Sequence, residues 1–304
     1  MEINGVINVY KEKGYTSHDV VNILKRTLKA KAGHTGTLDP EACGVLPIVL
    51  GRSTKLADYI MAEDKVYEAD IHFGVTTDTQ DMTGSIVSDK RPVCIREQDF
   101  FDILERFQGE IIQIPPMYSA IKINGEKLYN LARKGIEVER KPRAVTIYGI
   151  DTVDLCAEKA RIRVKCSKGT YIRTLCADIG EVLGCGAAMG ELLRSKSGSF
   201  SLDNSLKLDD IKTLAADGRI VTRIIPPDVI LKDYPRIDVC YEALKFIRNG
   251  NSINEKFIEE QGEQPIIGQK YRLYFKKEQF IGLYAFTDGG LLKPIVILRD
   301  LNKV

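Results

Sequence analysis

A carboxylate, an imidazole and three glycines lie together in residues 33–47, GHTGTLDPEACGVLP. The glycines permit backbone angles that other residues rarely adopt, and Pro40 and Pro47 fix φ, so the sequence predicts a loop of defined shape around Asp39. The apolar run VLPIVL predicts a buried strand that holds this loop against the core. An anchored carboxylate of this kind is a candidate nucleophile or general base. The alternative is an ordinary surface turn, since Asp and Pro are common turn residues.

Two stretches of the chain are basic. Residues 159–173 contain six basic residues and no acidic one, and their first half alternates apolar with basic residues. This alternation predicts a strand with one core face and one wholly basic face, which either binds phosphates or is simply solvated. Residues 122–143 contain seven basic and three acidic residues around a short helical pattern. Two basic stretches favour RNA as the partner, although the net charge of +2 alone does not.

The composition is that of a globular protein. A length of 304 residues with 44% hydrophobic residues allows about two domains. Neither a membrane span nor a signal peptide is evident, so we expect a cytoplasmic protein with no membrane partner. The seven cysteines include no CxxC pair, which suits reduced thiols. The spacing of the three histidines, His18, His34 and His72, is not one that chelates, so we predict no metal site.

Regular elements on either side of the loop must position it. The pattern predicts a helix that Ser17 caps and that runs to about Lys29, and another helix over residues 171–183. Residues 66–74 alternate as a strand with Tyr67 on its inward side. Glycines at 184–190 nearly form a dinucleotide-binding loop, but they follow a helix instead of a strand, so this interpretation is rejected.

The pattern changes after residue 235. Proline-rich linkers are predicted around residues 226–235. Beyond them, three apolar runs with close spacing predict the strands of a small β-domain.

Three blocks resemble the TruB family of tRNA pseudouridine synthases. Residues 33–56, GHTGTLDPEACGVLPIVLGRSTKL, resemble the family's catalytic segment. Residues 115–129 and 167–175 contain PPMYSAIK, GEKLY and SKGTYIRTL, which resemble its second and third motifs. With NVYK and YTSHD near the start, the likeness covers most of residues 5–200, in the right order.

The resemblance implies both a fold and a reaction. It implies an α+β protein whose catalytic domain, residues 1–235, has a mixed and antiparallel sheet, followed by a PUA-like RNA-binding β-domain, residues 236–304. The reaction would convert the T-loop uridine of tRNA, conventionally position 55, to pseudouridine without a cofactor. The MYSAIK block followed by GEKLY is similar to the stand-alone bacterial type, so we expect a monomer that binds the T-arm of tRNA and needs no protein partner.

The resemblance also implies roles for single residues at the reacting base. Asp39 would be the nucleophile, Arg173 its ionic partner and Tyr171 a participant in the late proton transfer. Because the ordinary pKa of tyrosine is about 10, this acid–base role depends on help from the site. The alternative for Arg173 is a phosphate contact.

Four further residues are implied to bind the substrate. The target base would stack on Tyr67, and His34 would fill the space that the flipped uridine leaves. Lys55 would give electrostatic support, and Leu193 belongs to the Leu-Arg segment that closes the family's catalytic domain. From the sequence alone, Tyr67 could equally be a core residue and Lys55 a surface lysine.

Two other classes of function remain open at this stage. A non-catalytic protein that binds or folds tRNA would explain the basic stretches but not Asp39 in a glycine loop. A hydrolase would explain Asp39 but not the basic strand. The fate of unmodified tRNA distinguishes all three classes.

Overall fold

The computed structural model describes residues 3–123, 125–259 and 264–299. The strands in these ranges are β1 (Gly5–Lys11), β2 (Ala32–His34), β3 (Cys43–Leu50), β4 (Lys65–Phe73), β5 (Val75–Thr77), β6 (Ile86–Asp89), β7 (Gly109–Gln113), β8 (Lys122–Ile123), β9 (Glu126–Lys127), β10 (Arg143–Cys156), β11 (Lys159–Cys166), β12 (Ala187–Ser197), β13 (Phe200–Ser201), β14 (Arg236–Val239), β15 (Ile253–Asn254), β16 (Lys270–Phe275), β17 (Gln279–Thr287) and β18 (Leu291–Ile297). The α-helices are α1 (Ser17–Leu28), α2 (Ala57–Met61), α3 (Glu97–Arg106), α4 (Leu128–Arg133), α5 (Ile172–Val182), α6 (Leu208–Ala216), α7 (Pro227–Ile230) and α8 (Leu244–Arg248).

One large sheet organises the first three quarters of the chain. Its strand order is β1-β3-β12-β4-β11-β10-β7, with β2 beside β3 and β13 beside β12. All neighbouring pairs are antiparallel except β12 and β3, which are parallel. The predicted α+β class with a mixed, largely antiparallel sheet is therefore confirmed. The parallel pair brings the end of β12 to the start of β3, directly beside the loop that carries Asp39.

The main core forms where helices cover this sheet. Along β11 every second residue is buried, as the alternation predicts, and along β4 the same holds except at Tyr67, which is half-buried. The apolar faces of α1, α3, α5 and α6 pack against these strands in one continuous cluster. Each fully buried Leu or Ile contributes about 1.5–3 kcal/mol, so the sheet and helices that flank the loop form a firm base for it.

The start of α1 differs from the prediction. Thr16, and not Ser17, caps the helix: its hydroxyl accepts from the Asp19 amide at 3.0 Å, and its own amide donates to the Asp19 carboxylate at 2.9 Å. This reciprocal pair is a capping box, which satisfies two amides that the helix leaves open. Ser17 is consequently buried in the first turn, where its side chain is free for another contact.

The last part of the chain forms a second sheet. Its order is β14-β16-β17-β18-β15, with its own apolar cluster. The three predicted strands of this region correspond to β16, β17 and β18, whereas β14 and β15 were not predicted.

The proline-rich segment before this sheet is folded, not an open linker. Pro227 begins α7, where its fixed φ suits the first helical position. Leu56 and Leu231 share a buried cluster with Leu283, Val296 and Leu298 of the second sheet. The second sheet therefore packs against the segments that follow β3 and α7.

Two general features of the chain concern its environment. In the part of the chain that the structure describes, no helix has both the length and the apolar character needed to cross a membrane. All seven cysteines are free thiols.

Candidate active site

The loop between β2 and β3 has an unusual backbone at two glycines. Gly36 has φ 141° and Gly44 has φ 109°, whereas Gly33 lies in the regular strand β2. A Cβ atom at Gly44 would lie 2.3 Å from the carbonyl oxygen of Arg194 on β12. Only glycine fits there, because the angle and the close approach both exclude a side chain.

Buried residues of β1 and α1 hold the loop from one side. The Ser17 hydroxyl accepts from the Leu38 amide at 2.8 Å and donates to the Leu38 carbonyl at 3.2 Å. Lys11 is 0% exposed, and its Nζ donates to the carbonyl oxygens of Pro40 at 3.1 Å and of Tyr15 at 2.6 Å. Burial lowers the pKa of Lys11 to about 8. These bonds fix the backbone immediately before and after Asp39.

Asp39 forms an ion pair with Arg173 of α5. The Nε of Arg173 lies 3.2 Å from Oδ2 of Asp39. Arg173 is itself held, since it donates to the carbonyls of Tyr118 at 2.8 Å and Thr79 at 3.2 Å and lies 3.5 Å from the Asp81 carboxylate. The guanidinium is 6% exposed and the Asp39 side chain 41% exposed, so a fixed cation sits beneath a carboxylate that a ligand can reach.

Opposing effects act on the Asp39 carboxyl. Burial raises its pKa, and this effect exceeds the opposite effect of the Arg173 guanidinium. The nearby Asp81 charge also raises the pKa, while Lys11 lowers it. A raised pKa makes a carboxylate more basic and more nucleophilic once it is ionised, and the guanidinium stabilises that ionised form.

Tyr171 lies where the chain enters α5, two residues before Arg173. Its amide donates to Oε1 of Gln113 at 3.0 Å, and Nε2 of Gln113 donates to its carbonyl at 3.2 Å. Burial raises the pKa of Tyr171, which hydrogen bonding to Ser119 partly offsets. The phenol therefore stays protonated at neutral pH, which makes it a hydrogen-bond donor before it is a base.

Tyr67 and His34 are both neutral side chains: Tyr67 lies near the Asp39 carboxylate, and His34 immediately precedes the loop that carries it. Tyr67, on β4, packs against the main core, and burial raises its pKa. The Asp39 charge is close enough to raise the pKa of both Tyr67 and Tyr171. Burial lowers the pKa of His34, and its Nδ1 accepts from the Gly36 amide at 3.4 Å. The structure thus groups two phenols around the carboxylate and an uncharged imidazole at the start of its loop.

Two predicted substrate residues lie away from this group. The Nζ of Lys55 donates to the carbonyl of Ile297 on β18 at 3.0 Å, so Lys55 is hydrogen-bonded to the second sheet. In the β12–β4 register Leu193 pairs with Glu68, whereas Arg194 pairs with Tyr67. Paired residues share a face and successive residues alternate, so Leu193 lies on the face opposite to Tyr67.

Three residues of the site were not predicted from the sequence. Lys11 and Arg194 are buried cations that bind loop carbonyls, and Asp81 bonds the partner of Asp39. The resemblance of NVYK included Lys11, but it gave no indication that Lys11 bonds the loop. Arg194 belongs to the Leu-Arg segment of the resemblance, but its bond to the loop, like the contact of Asp81 with Arg173, is revealed only by the tertiary structure.

The two basic stretches differ in their electrostatics. On β11, Arg163 lies 2.9 Å from Glu68 and Arg161 lies 3.5 Å from Asp70, both on β4. The face predicted to be wholly basic is thus partly neutralised by carboxylates of the neighbouring strand. Within 122–143, apart from residue 124, the structure shows no ion pair with a described residue for five cations: Lys122, Lys127, Arg133, Lys141 and Arg143.

The described residues offer no metal centre. In residues 3–123, 125–259 and 264–299, no three or more His, Cys, Asp or Glu side chains are grouped to hold a metal ion.

Comparisons with known proteins bear on the whole chain. Residues 24–172 match the model of the TruB family pseudouridylate synthase N-terminal domain, and residues 173–231 match that of the tRNA pseudouridylate synthase B C-terminal domain. The tRNA pseudouridine synthase B of Clostridium tetani is 47% identical over 289 residues, which cover 95% of this chain and 97% of that protein. The protein of the same name from Alkaliphilus oremlandii is 44% identical over 301 residues, which cover 98% and 99%.

Solved structures agree with the fold. A chain in the crystal structure of a Cbf5–Nop10–Gar1 complex aligns with a TM-score of 0.74 at 26% identity, over 98% of this chain and 86% of that chain. A chain in an H/ACA RNP bound to a substrate RNA that contains 2'-deoxyuridine aligns with a TM-score of 0.72 at 24% identity, over 97% and 85%.

Proposed function

The chain belongs to the TruB family of pseudouridylate synthases, and we propose that it isomerises the T-loop uridine of tRNA, conventionally position 55, to pseudouridine. The enzyme is accordingly an isomerase: the N1–C1′ bond of the nucleotide breaks, a C5–C1′ bond forms, and the proton at C5 is lost while N1 gains one. Atoms and electrons balance within the nucleotide, so we propose no cofactor. The observation that carries the proposal is the accessible Asp39 carboxylate, 3.2 Å from a buried Arg173.

Asp39 is proposed as the nucleophile. A carboxylate beside the sugar and base can take part in covalent catalysis when a cation keeps it ionised in a closed pocket. Arg173 provides this cation, and its bonds to Tyr118 and Thr79 fix its position before substrate binds. Such preorganised charge costs no rearrangement at the moment of reaction.

The neutral side chains are proposed to handle the base. Tyr67 offers a ring for stacking, which contributes about 1–3 kcal/mol per base in nucleic-acid sites. His34, uncharged at neutral pH, suits insertion into the space of the flipped uridine better than a hydrated imidazolium would. The protonated phenol of Tyr171 suits proton donation to a base nitrogen more than removal of the C5 proton.

We propose tRNA as the substrate because the relatives of similar length are named tRNA pseudouridine synthase B. Although one structural neighbour forms a complex with Nop10 and Gar1, we propose that this chain acts as a cytoplasmic monomer. Exposed cations in residues 122–143 and a PUA-like second domain from residue 236 would bind the rest of the RNA. Strand β14 begins at Arg236, which supports this boundary.

The test is incubation of the full chain with unmodified tRNA, followed by chemical mapping of pseudouridine and by chromatography for free uracil. Pseudouridine at the T-loop uridine alone is the expected result. Release of free uracil would instead identify a hydrolase. Binding without any change in the RNA would identify an RNA-binding protein, and either outcome would overturn the proposal. A tRNA with cytidine at the target position is the matched control.

A further inference from the structure

Arg194 is the largest side chain that is fully buried in the described part of the molecule. It is 1% exposed. Its guanidinium donates to the Gly36 carbonyl at 3.2 Å, in the loop of the proposed nucleophile (residues 35–44, the nucleophile loop), and to the carbonyl of Val45, the next residue after this loop, at 2.7 Å. Among the described residues, no carboxylate lies within ion-pair distance of it. Among the described residues, its charge is met by the dipoles of these two carbonyls and by the Tyr67 phenol.

The sheet register places Arg194 at the centre of the site. Arg194 pairs with Gly44 on the parallel strand β3 and with Tyr67 on the antiparallel strand β4. Residues directly opposite in an antiparallel pair project from the same face, so the guanidinium and the Tyr67 phenol share one side of the sheet. One residue thus contacts the nucleophile loop and neighbours the proposed stacking ring.

Stability alone does not account for this arrangement. A charged group without an ionic partner costs free energy when it is buried, and an apolar side chain of similar volume often stabilises such a position more. The charge of Arg194 also acts on two neighbouring side chains of the site. It adds to burial in lowering the pKa of His34, and it opposes burial, which raises the pKa of Tyr67. These features indicate a role in the reaction.

We propose that Arg194 is a positioning residue: it ties Gly36 and Val45, and hence Asp39, to Tyr67, so that the nucleophile and the stacked base keep one relative position during the reaction. The proposal rests on the proposed function above. Isomerisation makes this position important, because the detached base must turn and present C5 to the same C1′. A misplacement of about 1 Å can reduce a rate about 100-fold.

The experiment compares Arg194→Gln and Arg194→Lys in the full chain with Ser195→Ala as the matched control. Ser195 is the next residue on β12, and its hydroxyl also donates to a β4 carbonyl, that of Val66 at 3.3 Å. We expect the single-turnover rate at saturating tRNA to fall about 100-fold in the glutamine variant and about 10-fold in the lysine variant, with the Kd for tRNA within about twofold of wild type. The Ser195 variant should keep the wild-type rate within about twofold.

Tyr67→Phe, alone and combined with Arg194→Lys, measures whether Arg194 acts through Tyr67. The two losses in rate should be less than multiplicative, which a separate structural effect would not produce. A wild-type single-turnover rate in Arg194→Lys overturns the proposal. A decrease in rate that is fully explained by a smaller fraction of folded protein also overturns it, as does failure of both Arg194 variants to fold. A wild-type enzyme that forms no pseudouridine refutes the proposed function instead.

Discussion

The nucleophile loop, residues 35–44, and the basic segment, residues 122–143 without residue 124, are held in opposite ways, although the segment contains the short elements β8, β9 and α4. The loop receives side-chain hydrogen bonds from Lys11, Ser17 and Arg194, which are distant in sequence and buried. The segment is largely exposed, and its ion pairs, such as Lys134 with Glu126 and Arg140 with Glu137, are internal.

This difference indicates separate roles: the loop for the chemical reaction and the segment for binding the RNA. A nucleophile has to be held within a fraction of an ångström of its target, which requires partners fixed in the core. Binding an RNA backbone depends on exposed charge and tolerates local adjustment. Changes in the loop should therefore alter the rate at saturating RNA, and changes in the segment should alter affinity and its salt dependence.

The largest effect should come from Asp39→Asn. The change removes the charge that the reaction needs but almost no volume, so pseudouridine formation should be abolished while tRNA still binds. The measurement is pseudouridine yield and tRNA Kd with the purified variant. Turnover at the wild-type rate would falsify the assignment of Asp39 as nucleophile.

Lowering the pH should also abolish pseudouridine formation, and this loss of activity should be reversible. Burial raises the pKa of Asp39, so its carboxylate becomes protonated at a higher pH than an ordinary aspartate, whose pKa is about 3.9. The rate at saturating tRNA should fall as the pH falls through this raised value. Circular dichroism and tRNA binding at each pH exclude unfolding. A rate that stays constant down to about pH 4 would contradict the raised pKa.

Lys11→Met should weaken the loop without touching the substrate. The variant leaves the Pro40 and Tyr15 carbonyls without their buried donor, at a cost of about 1–3 kcal/mol in the free energy of unfolding. The rate should fall about 10- to 100-fold with little change in Kd. Lys13→Met is the matched control, because Lys13 is exposed and pairs only with surface carboxylates. Equal rates in the two variants would contradict the anchoring role.

The basic segment should dominate the salt dependence of binding. Replacing Lys122 and Lys141 by Gln should reduce the slope of log K against log salt by about 0.7–0.9 for each phosphate contact that is lost. The pair Arg161→Gln and Arg163→Gln changes the net charge equally, but these side chains already pair with Asp70 and Glu68. A larger slope change from the β11 pair would place the RNA on that strand instead.

The smallest functional effect should come from Asp178→Asn on α5. Burial raises the pKa of Asp178 to about 6. Above pH 6 the buried negative charge therefore lowers the free energy of unfolding, and this loss is reversed as the carboxylate becomes protonated between pH 6 and pH 4. At pH 7 the variant should be more stable by about 1–2 kcal/mol, with kcat and Kd unchanged. Denaturant unfolding at pH 5 and pH 7 measures the free energy of unfolding of the variant and of wild type. A difference between the two proteins that is equal at both pH values would contradict the attribution to the charge of Asp178.

Local patterns predicted much of the fold. The alternation in β4 and β11 and the apolar faces of α1 and α5 depend on one element's period, which the sequence carries directly. The glycine loop singled out Asp39, the family resemblance supplied Arg173 as its ionic partner, and Arg173 does lie beside it. Predictions that depended on a neighbouring element failed, because Glu68 and Asp70 on β4 neutralise a face that looks basic on β11 alone.

The sequence by itself determined the family, the elements and the carboxylate at the centre of the site. Only the tertiary structure decided which residues hold that carboxylate and which faces meet at the site. Lys11 and Arg194 lie 28 and 155 positions from Asp39 along the chain, and Leu193 lies one residue before Arg194 and therefore on the face of the sheet opposite to Tyr67. Long-range hydrogen bonds and strand register arise from packing, so no local pattern encodes them.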